Sequence, residues 1–184
     1  PLLLSSSQLA IAVVQWGAIQ LVGPRILPRL DFSKGIPREH RTLVAVPTML
    51  TDEAEIDALL GSLEVRHLAN RDDELLLALV TDLRDAAEKE VAGDEALVQR
   101  ARDGIDALNR VHTLPGGKSP FVLFHRARRH NSREGVWMGW ERKRGKLVEF
   151  NRVLAGDETT SYTVHVGAPG ALRSIRFVIT LDPR

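Results

Sequence analysis

Apolar residues open the chain as one block and then return in short, spaced runs. Leu2 to Val22 carries no charge, and as a helix its 21 residues reach roughly 31 Å, about the thickness of a bilayer's hydrocarbon core. Ser5, Gln8 and Gln15 fall near one helical face. The segment therefore suits an interfacial helix, or one packed on a protein partner, as well as a spanning one. Pro24, Pro28, Gly35 and Pro37 then punctuate a linker.

From Thr42 the pattern alternates between two kinds of segment. Thr42 to Val46 is a β-branched, apolar run that ends at Pro47, as a buried strand should. Asp52 to Asn70 repeats apolar residues at helical spacing, with Ile56, Leu59, Leu60, Leu63 and Leu68 inward and acids in its first turn. Leu75 to Thr81 predicts a second strand, and Asp94 to Val111 a second helix through Leu97, Val98, Ala101, Ile105 and Leu108. Phe121 to His125 predicts a third strand, reached through the Pro115-Gly116-Gly117 turn. Trp137 to Leu154 reads as helical, and Ile175 to Leu181 as a last buried strand. Short apolar strands separated by helices imply an α/β domain with a mainly parallel sheet covered on both faces. Ligands of such sheets sit beyond the carboxyl ends of the strands, here at Pro47 and Thr48, at Thr81 and Asp82, and at Asp182.

With 184 residues, 43% of them hydrophobic, the chain can bury one domain's core. Charge changes the picture only locally. The 25 Lys and Arg nearly cancel the 24 Asp and Glu, which does not suggest a nucleic-acid binder. Yet Asp52 to Glu95 holds fourteen acids against four bases, and Arg126 to Lys146 holds eight bases against two acids. That basic stretch suits phosphate groups or acidic lipid. Absence of cysteine excludes disulfides, thiolate zinc sites and a cysteine nucleophile. Arg25, Arg29, Lys34, Arg38 and Arg41 follow the apolar block, which by the positive-inside rule puts the remainder on the cytoplasmic side of a membrane. No basic region precedes the block, so it does not read as a secretory signal.

Asp82 and Asp85 stand where an acceptor-only carboxylate can take hydrogen bonds from a base or a ribose, or cap the next helix. Arg142-Lys143-Arg144-Gly145-Lys146 can neutralise a diphosphate, or form a solvated face. Trp137 and Trp140 can seat a helix or face a sugar ring. Asp182, after Phe-Val-Ile-Thr-Leu, sits where acids hold a divalent cation against phosphate oxygens. Gly116-Gly117-Lys118-Ser119 is no phosphate-binding P-loop, since His112 stands where the first Gly is required. His125 and His130 lack a third ligand nearby, and no Gly-x-Ser-x-Gly elbow occurs.

Several of these segments are strung along longer motifs. They are Leu27-Pro28-Arg29-Leu30-Asp31-Phe32-Ser33-Lys34-Gly35-Ile36-Pro37, Arg66 to Asp72, Leu79 to Ala86, and the Arg133 to Leu147 stretch with its Val-Trp-Met-Gly-Trp-Glu-Arg-Lys-Arg-Gly-Lys core. In this order they resemble the glycosyltransferase domain, of family 84 type, of cyclic β-1,2-glucan synthases. The resemblance runs from about Leu27 to Leu181. It implies a GT-A, Rossmann-like, inverting glucosyltransferase that uses UDP-glucose, a glucan acceptor and Mg²⁺ or Mn²⁺ at the cytoplasmic face of a bacterial inner membrane. By the same resemblance Pro47 and Thr48 flank the nucleotide, and Asp82 with Asp85 contacts uridine. Arg144 and Lys146 face the phosphates, and Asp182 is the first acid of an Asp-x-Asp metal motif.

Arg184 stands where that motif needs its second acid. The expected organisation is thus an apolar membrane-proximal helix over residues 1–26 and the truncated nucleotide-sugar-binding half of the domain over 27–184. The catalytic base and the acceptor half fall outside it, which makes the fragment inactive by itself. Alternatives of another class stay open: a nucleotide-binding remnant or interaction module without catalysis, or a basic module that binds membrane or nucleic acid through Arg126 to Lys146.

Overall fold

The two helices that follow the first two strands are amphipathic, and a twisted sheet with apolar residues on both faces is what they need to cover. The computed structural model describes residues 2–22, 32–167 and 172–182, without the side chains of residues 2–6. It divides between Ser33 and Lys34 into two units. The expected linker prolines Pro24 and Pro28, the boundary after residue 26, and Arg184 all lie outside the described residues.

The first unit is the helix α1, Leu2–Leu21, whose side chains from Ser7 onward are exposed except at half-buried Gly17. Among the described residues no helix is long and apolar enough to cross a membrane. The expected transmembrane segment is therefore not upheld. Gln8, Gln15 and Gln20 recur along α1, and each would carry an amide into lipid.

In the second unit a short 3₁₀ turn, Arg38–His40, leads into β1, Thr42–Leu50. Then come α2 (Glu53–Ala69), β2 (Leu75–Leu83), α3 (Asp94–Val111) and β3 (Phe121–Arg126). A hairpin of β4 (Arg129–Asn131) and β5 (Val136–Met138) precedes α4 (Arg142–Leu154), β6 (Tyr162–Val166) and β7 (Phe177–Thr180). The main sheet has the order β6-β3-β2-β1-β7. β1 runs parallel to β2 and β7, β2 parallel to β3, and β6 antiparallel to β3. This is the expected α/β, mainly parallel, Rossmann-like arrangement.

Side chains leave a strand on alternate sides, so each strand feeds two cores. Val44, Val46, Leu77, Leu79, Phe121 and Leu123 meet Ile56 and Leu63 of α2 and Val98, Ala101 and Ile105 of α3. On the other face Leu43, Ala45, Leu76, Ala78, Val80, Val122 and Phe124 meet Phe150 of α4 and Tyr162. Asp52 caps α2 by accepting from the Glu55 amide at 2.8 Å. Leu68, expected inward, is 49% exposed. Its place is taken by His67, buried against Phe121, because the row through Ile56, Leu59 and Leu63 continues at 67.

Three further expectations change. Trp137 does not begin a helix: Val136–Met138 is strand β5, and α4 starts only at Arg142. Gly135, at φ 67°, closes the hairpin turn, and Trp137 and Ala86 exchange backbone hydrogen bonds of 2.8 and 2.9 Å that hold the segment extended. β6 escapes a pattern search because it is a short edge strand of mixed polarity. The last strand is Phe177–Thr180, and its side chains are exposed rather than buried.

Candidate functional site

Parallel strands that share a direction deliver their carboxyl ends to one side of the sheet, and the strand order reverses between β1 and β7. The crevice at such a reversal is where open α/β sheets bind ligands. Pro47 shapes it. Odd-numbered residues of β1 turn their backbone groups toward β7, as Arg41 and Ala45 show by accepting from Arg176 and Leu181. The paired register with β7 ends at Ala45. Pro47 thus lacks an amide on the side where β7 has run out, and the sheet loses no hydrogen bond.

A pocket of about 500 Å³ lies there. Pro47, Thr48, Met49 and Thr51 wall it from β1, Glu55 and Leu59 from α2, and Asp82, Leu83 and Asp85 from β2. Gly139, Arg142, Lys143 and Lys146 close it from the start of α4.

Beneath the pocket is a buried charge network. Asp82, 3% exposed, accepts through Oδ1 from Lys146 Nζ at 2.7 Å. Through Oδ2 it accepts from Arg126, whose Nη2 is 2.9 Å and Nε 3.2 Å away. Lys146 also donates to the carbonyl of Thr48, tying α4 to the end of β1. Arg126, fully buried, donates to the Arg142 carbonyl at 2.8 Å and has Nη1 3.7 Å from Glu149 Oε2. Glu149 in turn accepts from the Ser161 hydroxyl at 2.8 Å. The two cations and two carboxylates cancel, which is how such groups tolerate burial.

Burial pushes the Lys146 ammonium below its usual range, and Asp82 opposes that. Next along the strands, His125 Nδ1 lies 2.9 Å from Thr81 Oγ1. Burial brings its imidazole down to about 4, again against the pull of Asp82. Tyr162 donates to the Lys146 carbonyl at 2.8 Å, and its phenol is pushed up, first by burial.

At the mouth, Asp85 Oδ2 accepts from Arg142 Nη2 at 2.6 Å, with the Arg142 side chain 61% exposed. The backbone there is unusual. Glu141 and Arg142 have φ of 46° and 48°, left-handed values that cost non-glycine residues about 1 kcal/mol or more each. Gly139 is required by contact: a Cβ would stand 2.3 Å from Asp82 Oδ2 and 2.9 Å from Arg126 Nη2. The Val-Trp-Met-Gly-Trp segment therefore brings backbone directly onto the charge network.

Of the residues singled out from the sequence, Pro47, Thr48, Asp82, Asp85 and Lys146 line this pocket together. Arg144 does not; its side chain is 83% exposed, with Nε 3.7 Å from Glu141. Asp182 also lies outside the lining, exposed beyond β7, and accepts from Lys143 Nζ. Arg126, Glu149 and Gly139 were not anticipated as site residues. A charged residue closing the apolar run Phe-Val-Leu-Phe-His was the one available signal for Arg126.

The described residues do not assemble a divalent-metal site around Asp182. Asp182 offers one carboxylate, and an ammonium already binds it. Among the described residues no group of three or more His, Asp or Glu could hold a metal ion. Hard cations need several oxygen ligands.

No family model matches the chain. Over 159 residues it is 41% identical to Cyclic beta-(1,2)-glucan synthase NdvB of Rhizobium meliloti (strain 1021). The match covers 86% of this chain and 6% of that protein. The resemblance to a region of cyclic glucan synthases read from the motifs is thereby borne out, over a small part of that protein's length.

Proposed function

We propose that the chain contributes the nucleotide-sugar pocket of a glucan-synthesising glucosyltransferase, of GT-A type within glycosyltransferase family 84. The observation that carries this reading is the pocket beyond β1 and β2, with Asp85 and Arg142 paired at its mouth and Lys143 at its rim. In this reading UDP-glucose enters over Pro47 and Thr48. Both oxygens of Asp82 are taken by Lys146 and Arg126, so Asp82 holds the floor, while Asp85 presents an acceptor to the uridine.

Transfer breaks the bond between the anomeric carbon and the diphosphate oxygen. A glucan hydroxyl attacks from the opposite face, inverts the centre and yields its proton to a general base. The charge left on UDP develops beside Arg142 and Lys143, whose cations favour the transition state. Any Mg²⁺ or Mn²⁺ used by a whole synthase needs ligands besides Asp182.

Calorimetry of the chain with UDP is expected to show binding that Arg142→Ala weakens about tenfold, the scale of one charge-assisted contact. A folded chain that ignores UDP at millimolar concentration would defeat the reading. Transfer also needs a general base held against the acceptor hydroxyl, and we expect the chain by itself to bind without transferring. Glucan formed from UDP-glucose by this chain above background would overturn that second point.

A further inference from the structure

A second hollow, of about 520 Å³, lies between the β4–β5 hairpin and the start of α4. Its volume falls within the range of small-ligand pockets, roughly 300–1,000 Å³. Trp140 borders it, 42% exposed, although a side chain of that size is usually covered. One side of the indole packs against the start of α4. Behind it is Gly145, where a Cβ would stand 2.8 Å from Trp140 Cε3 and 2.1 Å from its carbonyl oxygen. Buried Met138 lies on the hairpin side, its sulfur 3.3 Å from Asn131 Nδ2. Trp137, by contrast, is committed to packing: its ring lies 5.3 Å from that of His130, and its backbone is tied to Ala86.

We propose that this hollow is a saccharide subsite, which takes a short stretch of glucan beside the nucleotide-sugar pocket. The chemistry favours a neutral sugar. A part-exposed indole packed on one side against α4 offers an apolar plane to the C–H face of a pyranose. Arg133 and Glu134 on the turn, with Asn131, offer donors and acceptors to the ring hydroxyls at its edge. The hollow mixes arginines with Glu134 and Glu141, where a phosphate site would leave its cations uncompensated. Its position gives it a use. Arg142 lines both the hollow and the nucleotide-sugar pocket, so a glucan held here lies one side chain away from the donor. Holding an acceptor in such reach is what turns a bimolecular transfer into a local one.

The role as acceptor subsite rests on the proposed function above, whereas saccharide binding can be measured without it. The experiment titrates the full chain with a β-1,2-linked glucotriose, following tryptophan fluorescence and heat, and titrates UDP separately. Saccharide binding is expected to perturb tryptophan emission. Trp140→Ala should weaken it about tenfold or more, the scale of one lost stacking contact, and leave UDP binding unchanged. Glu134→Gln, on the exposed turn, should weaken it a few-fold without touching the fold. Absence of saccharide binding by chain that still binds UDP would overturn the subsite. So would binding indifferent to both variants, or displacement of the saccharide by inorganic phosphate. Saccharide binding by chain that ignores UDP would uphold the subsite and sink the donor reading.

Discussion

Asp82 and Asp182 close the apolar runs of β2 and β7 on the same side of the sheet, and on sequence they are equivalent: an acid after a hydrophobic run. The structure gives them opposite surroundings. Asp82 is 3% exposed and shared by Lys146 and Arg126, whereas the Asp182 side chain is 74% exposed beside Lys143, itself 54% exposed. A carboxylate removed from water must be matched bond for bond, and its loss strands its partners. One left in water is screened and replaceable. Position at a strand end thus gives an acid access to a ligand, and the burial around it decides whether it serves the ligand or the frame.

The contrast can be broken most directly at its buried end. Asp82→Ala leaves Lys146 and Arg126 buried without the carboxylate they share, and a loss of about 3–5 kcal/mol is expected in chemical denaturation. A loss below about 1 kcal/mol would make Asp82 no different from a surface acid. Adding Lys146→Met should restore part of the loss, since the stranded ammonium goes with it.

Acid sharpens the same contrast. His125 titrates at about 4 in the folded chain against an ordinary 6.5. Between those values the unfolded chain binds a proton that the native imidazole refuses, so stability falls as pH drops from 6.5 toward 4 and the effect levels off below. The full loss is about 3 kcal/mol at 1.36 kcal/mol per pKa unit. His67 and His165, also lowered by burial, act in the same direction. Urea titrations of the chain and of His125→Asn across this window isolate its share; equal slopes would refute it. The smallest effect belongs to the open end. Asp182→Ala should change stability by less than about 1 kcal/mol, and salt should erase most of that.

What could be read from the sequence follows from how local each feature is. The runs at Thr42, Leu75 and Phe121 are buried on both faces, so their hydrophobicity is continuous and plain. β4, β5 and β6 are short and mix polar with apolar residues, and the β4–β5 hairpin is further held by Ala86, far from it in sequence. Trp137 and Trp140, three apart, suited a helix until that strand pairing decided otherwise. The pocket was legible as a set of strand ends. Its wiring was not, because the partners of Asp82 stand 44 and 64 residues away and only the fold brings them together.

Edge strand β7 has a consequence for handling the chain. Phe177, Val178 and Ile179 are each between 37% and 49% exposed, and among the described residues no strand pairs with the far side of β7. A row of unpaired amides and carbonyls beside apolar side chains is a template for another strand. This rim is therefore one route to self-association, beside the exposed apolar side chains of α1, and a net charge of +1 supplies almost no repulsion between copies. Self-association should rise with concentration, and a lysine placed at Val178 should remove the share that runs through this edge.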